Sequence, residues 1–101
     1  MRERAIERKL IQEVKLRGGF CPKLTSPGTD GMPDRMVLLP GGHIGFVEVK
    51  APGQKPRPLQ IARHRVLTQL GFKVYTLDDA GDIPRIIAEI GGADGRTVKE
   101  R

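Results

Sequence analysis

The run Asp34-Arg35-Met36-Val37-Leu38-Leu39-Pro40-Gly41-Gly42-His43-Ile44-Gly45-Phe46-Val47-Glu48-Val49-Lys50 decides how this chain is read. Two apolar stretches flank Pro40-Gly41-Gly42, which is turn composition. The pattern predicts a hairpin with strands over 35–39 and 43–50. Alternate residues of a strand share a face, so Ile44, Phe46, Glu48 and Lys50 lie on one side and Val47 and Val49 on the other. A strand apolar on both faces is usually central and covered on both sides. An acid and a lysine at the end of such a strand could be an exposed salt pair, but a covered strand demands partners for its charges.

The turn length then matters. A three-residue connection pairs Leu39 with His43 and, counted outward, sets Asp34 opposite Glu48 on the same face. Their Cβ atoms would stand ~5 Å apart. Like charges at that distance repel unless a cation lies between them, and paired carboxylates suit a hard ion such as Mg2+. Lys50 beside them could orient or deprotonate a water, which is equipment for hydrolysing a phosphodiester. A two-residue turn would instead set Asp34 opposite Val49, on the wrong face. The residues alone leave both turns open.

Outward from the hairpin, Ile6, Leu10, Ile11, Val14 and Leu16 repeat near 3.6 residues and predict a helix over 3–17, closed by Gly18-Gly19. Phe20 to Thr25 is a short strand made irregular by Pro22, and Ser26 to Gly31 is a loop. Ala51 to Arg57 is a basic Pro/Gly loop, after which Pro58 opens a helix to about Leu70. Leu59, Ala62, Val66 and Leu70 form the expected apolar stripe of that helix. A strand over 72–77, a turn over 79–82 and a helix over 83–90 follow. The order is αβββαβα, an α/β domain over 1–90 with a polar tail over 91–101.

The bounds fit a small single domain of 101 residues with an aliphatic core and no tryptophan. A net charge of +6 and a pI near 10.0 favour a polyanionic partner, most often nucleic acid. Cys21 is single, which excludes a disulfide framework and a cysteine-rich zinc site; it reads as a small buried or half-buried thiol. No apolar run approaches the ~18 residues of a membrane span, and no apolar leader is evident, so a cytoplasmic protein is expected. Lys23, Arg35, Lys55 and Arg57 are candidate phosphate contacts, each weighed against a plain solubilising role. On pattern alone Glu7 and Gln60 are solvated helix residues, and His43 and His64 have no partner at ligand spacing.

Ser26-Pro27-Gly28-Thr29-Asp30-Gly31-Met32-Pro33-Asp34-Arg35, Phe46-Val47-Glu48-Val49-Lys50-Ala51-Pro52-Gly53 and Pro58-Leu59-Gln60 together resemble the stand-alone, phage and bacterial type of VRR-NUC domain. That family belongs to the PD-(D/E)XK nuclease superfamily, and the resemblance covers about residues 1–90. It implies a restriction-endonuclease-like αβββαβα core with a mixed central sheet flanked by helices. It also implies that Asp34, Glu48 and the Val49 carbonyl hold Mg2+ or Mn2+. Glu7, or Glu3 one turn earlier, would contribute to the metal site; Lys50 would position or activate the attacking water, and Gln60 would support the site. The implied activity is a metal-dependent DNA endonuclease selective for branched DNA such as four-way junctions, with plain duplex or flap cleavage as the runner-up.

A homodimer is expected, because a core this small gains from a partner surface and a four-way junction is two-fold symmetric. The first helix or the 83–90 helix would supply the contact. If the chain is phage-encoded, its setting is the bacterial host cell. The alternative is a non-catalytic basic module that binds nucleic acid on a nuclease fold.

Overall fold

The computed structural model describes residues 1–91, so the tail expected over 91–101 lies, after Gly91, outside the described residues. Its elements are α1 (Glu3–Leu16), β1 (Arg35–Leu39), β2 (His43–Val49), α2 (Pro58–Gln69), β3 (Lys73–Leu77), a 3-10 turn (Ala80–Asp82) and α3 (Ile83–Ile90). The sheet order is β1-β2-β3. β1 runs antiparallel to β2, and β3 runs parallel to β2. The sheet is therefore mixed, as expected, with β2 central.

The expected strand over 20–25 is reduced to two antiparallel bridges on the outer edge of β1, Phe20 to Leu38 and Lys23 to Arg35. Proline is the reason. Phe20 and Leu38 exchange both backbone hydrogen bonds, and Met36 N–H donates to the Pro22 carbonyl, but Pro22 has no N–H to return. The segment thus follows the strand path with one rung missing.

The hairpin takes the three-residue form. Leu39 pairs with His43 and Arg35 with Val47. Gly41 and Gly42 make the turn at φ of 92° and 82°, a region that side chains with a Cβ avoid.

The two faces of the sheet differ in character. On one, Val37, Leu39, Val47, Val49 and Leu77 pack against Ile6, Leu10 and Val14 of α1 and against Ile83, Ile86, Ile87 and Ile90 of α3. This is the aliphatic core. Both α1 and α3 spend their apolar stripes on it, so neither leaves the free apolar face expected of a dimer contact; in α1 the exception is Leu16, which is exposed.

The other face carries Ile44, Phe46 and Glu48 and is covered by α2. The expected apolar stripe of α2 is turned the wrong way: Leu59, Val66 and Leu70 are exposed. The inward positions are Gln60, Arg63, His64 and Leu67, at helical spacing, with Gln60 and Leu67 buried. The helix turns polar residues inward because the strand beneath it presents a carboxylate. Phe72, just after α2, meets Phe46 edge-on with ring centroids 5.7 Å apart.

The loop before β1 is docked on the start of α2. Gly31 has φ of +87°, and a Cβ there would lie 2.6 Å from the Leu59 carbonyl oxygen. Arg63 Nε donates to the Asp30 carbonyl at 3.0 Å, tying the same loop to the next turn of the helix. Gly31→Ala should therefore lower stability by about 1–3 kcal/mol, since both its backbone angle and its space are wrong for a Cβ. Gly53→Ala, at φ of +81° with nothing within 4 Å of the added carbon, isolates the angle term and should cost less. Urea unfolding of the two variants beside the wild type makes the comparison.

Candidate active site

β1 begins at Arg35, and the register continued one step back sets Asp34 opposite Glu48. The next step sets Pro33 opposite Val49. Val49 N–H would look to a ladder partner there; instead the Asp34 carboxylate takes it, Oδ2 accepting at 3.0 Å. Pro33 is fully buried and has no N–H to give, so it cannot claim the Val49 carbonyl, which points to the same edge as the Val49 N–H. The sequence Pro33-Asp34 thus does two things at the frayed end of the ladder. It anchors a carboxylate on the backbone of β2 and offers the Val49 carbonyl no N–H from position 33.

Glu48 is 1% exposed. Its Oε2 accepts a hydrogen bond from Gln60 Nε2 at 2.8 Å. Gln60 is fixed in turn, because its Oε1 accepts from the Arg57 backbone N–H at 2.8 Å. One amide therefore caps the first turn of α2 and holds the carboxylate beneath it. Pro58 suits that first turn because its missing N–H costs nothing there. Lys50, one step along the same face, brings Nζ to 3.5 Å from Glu48 Oε2. Its backbone N–H is bound to Leu77 O of β3 at 2.8 Å, which fixes the strand end that carries it.

Burial, and next the Asp34 carboxylate, push the Glu48 carboxyl up to about 7, while Lys50 pulls it down. Two acids and one lysine leave the cluster short of positive charge when both acids ionise. Asp34, Glu48 and the Val49 carbonyl are all oxygen donors, the ligand type that Mg2+ and Mn2+ take, and one oxygen of buried Glu48, Oε1, has no hydrogen-bond partner. The donor set fits a hard divalent cation.

The other residues expected at this site go elsewhere. Arg35 pairs with Val47 in the ladder and so lies on the aliphatic face, not the Glu48 face. Its Nε donates to Glu7 Oε2 at 2.9 Å and its Nη1 to the Cys21 carbonyl at 3.1 Å. Glu7 and Arg35 therefore neutralise each other beside the core, across the sheet from Asp34 and Glu48. Arg35 is a clamp between α1, the 20–24 segment and β1 rather than an exposed phosphate contact, and Glu7 does not join the pair of acids. Glu3 is exposed on the first turn of α1. Among the described residues no three His, Cys, Asp or Glu side chains gather as a metal-holding group. Lys23, Lys55 and Arg57 are exposed, as phosphate contacts would need to be. Cys21 is buried, and burial raises its thiol to about 11, which makes it inert packing.

His64 is the residue that pattern reading passed over. It sits four residues after Gln60 on the inward face of α2, with Nε2 at 3.7 Å from Glu48 Oε1. Burial lowers its pKa from the ordinary 6.5, against the pull of Asp34. Its spacing from Gln60 carried the signal, since i and i+4 of a helix share a face.

No family model matches the chain. It is 51% identical over 78 residues to a protein of Acyrthosiphon pisum secondary endosymbiont phage 1 named "Putative nuclease p44", an alignment covering 77% of this chain and 84% of that one. A solved VRR-NUC domain superposes with a TM-score of 0.79 at 30% identity, covering 84% of this chain and 92% of the other.

The electrostatics set an expected pH response of the metal-free protein. The folded pKa of Glu48 lies above the 4.5 of an unperturbed glutamate, so the folded state holds this proton more tightly than the open chain. Its contribution is present below about 4.5 and is lost as pH rises to about 7, at a cost on the order of 3 kcal/mol. His64 acts oppositely below 6.5, because its folded pKa is depressed. Chemical unfolding in EDTA at pH 5 and pH 8 should therefore show Glu48→Gln gaining stability over the wild type at pH 8 and little at pH 5. Equal differences at both pH values would contradict the assigned burial of the charge.

Proposed function

Because the chain belongs to the VRR-NUC family of nucleases, we propose that it is a Mg2+- or Mn2+-dependent DNA endonuclease that cuts branched DNA such as four-way junctions. The observation that carries this reading is the convergence of Asp34 on buried Glu48, with Gln60 and Lys50 on the second carboxylate. Asp34, Glu48 and the Val49 carbonyl would hold the cation. When bound, it supplies electrophilic stabilisation of the scissile phosphate and a more acidic water.

The chain's own residues do the rest. Asp34 is kept in place by the Val49 N–H, and Glu48 by the Gln60 amide. Both carboxylates are thus set before substrate arrives, so little reorganisation is needed at the moment of reaction. Lys50 stands beside Glu48 on a strand end pinned to β3, where its ammonium faces the charge that develops on the phosphoryl oxygens and orients the attacking water. Water forms a new P–O bond in line as the ester P–O bond breaks; the attacking water releases a proton to solvent and the leaving oxygen takes one up from solvent. Lys23, Lys55 and Arg57 neutralise phosphates flanking the cut and supply binding without reading sequence.

A homodimer matches two equivalent strands of a junction. Its support in the structure is the outward stripe Leu59, Val66 and Leu70 of α2 with Phe72 beside it, all at least 40% exposed. The setting would be the cytoplasm of a bacterial host. Among the described residues no helix is long and apolar enough to cross a membrane.

Incubation with supercoiled plasmid and with four-way junctions tests the chemistry. Cleavage is expected with Mg2+ or Mn2+ and none with EDTA, with junctions cut in preference to linear duplex. Asp34→Asn should lower the rate at least 100-fold while leaving DNA affinity within about 3-fold, because phosphate contacts carry binding. Wild-type cleavage by Asp34→Asn would overturn the site. Light scattering tests the assembly: a mass twice the chain's 11.1 kDa is expected. A species of single-chain mass at all concentrations would remove the dimer and leave the chemistry standing.

A further inference from the structure

Among the described residues, two buried side-chain polar atoms have no hydrogen-bond partner, Glu48 Oε1 and His64 Nε2. They face each other at 3.7 Å. A buried acceptor and a potential donor left unpaired are both costly, so their juxtaposition calls for a reason. Both belong to the site, yet none of the roles assigned above uses His64.

The placement follows from the helix. Gln60 and His64 are one turn apart on the face of α2 that lies over Glu48. Gln60 already holds Oε2. The same face therefore brings a second donor to the other oxygen of the same carboxylate. An imidazole can carry hydrogen on Nε2 in its charged form and in one neutral tautomer, so the role does not depend on its protonation state. The gap exceeds an N–H···O bond by about 0.7 Å. Active-site hydrogen bonds are often long in the resting enzyme and tighten in the loaded one.

We infer that His64 is a positioning residue of the nuclease site, whose Nε2–H holds Glu48 Oε1 while Gln60 holds Oε2, so that α2 fixes the plane of the carboxylate toward the cation. This rests on the metal-dependent reading above. Two holds from one rigid helix remove the rotation that a single hold at Oε2 would leave. The carboxylate then keeps its remaining lone pairs toward Asp34 and the Val49 carbonyl. Partners of this kind behind a metal-binding carboxylate are commonly worth 10–100-fold in metal affinity.

The test is calorimetric titration of Mn2+ into the DNA-free protein at pH 7.5, for the wild type, His64→Leu, His64→Ala and His64→Gln. Leu keeps bulk without a donor, Ala removes both, and Gln restores an N–H donor. Leu and Ala should bind Mn2+ about 10-fold more weakly, and Gln should recover most of the loss. Melting curves identify any variant that fails to fold, and the remaining pair still decides the question. Wild-type affinity in His64→Leu would mean that His64 only fills space, and the inference fails. Gln binding as weakly as Leu would mean that the imidazole itself is a ligand, which also overturns the positioning role. Absence of Mn2+ binding by the wild type would sink the metal-dependent reading beneath it, an outcome that no His64 variant can mimic.

Discussion

A glutamate carboxylate that is 1% exposed, on the central strand of a three-stranded sheet, is the constraint around which the rest of this fold is arranged. An ionised carboxylate in such a place is costly unless its neighbours replace the water it has lost. Those neighbours are not local in sequence. Asp34 arrives by the register of the β1–β2 hairpin, Lys50 by alternation along β2, and Gln60 and His64 by the helix laid across them. The glycine that lets the 26–33 loop sit against the Leu59 carbonyl, the proline that ends the ladder at Asp34 and the capping amide of α2 all serve the same point.

The two faces divide the work. The aliphatic face is filled by α1 and α3 and carries the fold's stability in the ordinary way, through buried Ile, Leu and Val. The other face gives up apolar burial to polar contacts. That exchange explains why α2 leaves Leu59, Val66 and Leu70 outward, a stripe that a helix covering an apolar sheet would have turned in. Arg35 and Glu7 satisfy each other beside the core, and with the Cys21 carbonyl they lock α1, the 20–24 segment and β1 together.

Much of this was legible in the residues. The hairpin could be counted, and once the turn had three residues Asp34 and Glu48 had to meet. The Ile83–Ile90 helix and the strand before it followed from punctuation, though not that the strand runs parallel to β2. Period-two alternation should also have set Arg35 with Val37 and Leu39, on the face away from Glu48; the resemblance drew attention to its charge instead. Glu7 and Gln60 looked alike as helical polar residues, and only the tertiary placement of their helices separates a clamp from a site residue. His64 was hidden because its partner is on another element, and the stripe in α2 was misread because hydrophobic periodicity assumes an apolar surface to cover. The reduced strand at 20–24 was foreshadowed by Pro22, whose missing donor is visible in any sequence.

In the proposed function Asp34 and Glu48 are brought together to hold a divalent cation. The most direct measurement is a crystal grown at neutral pH with Mn2+, with diffraction data collected at the manganese absorption edge. An anomalous peak is expected between the two carboxylates, with Mn–O contacts of roughly 2.2 Å that include the Val49 carbonyl. No peak there, with the two acids sharing a proton through a direct carboxyl–carboxylate hydrogen bond at that pH, would contradict it.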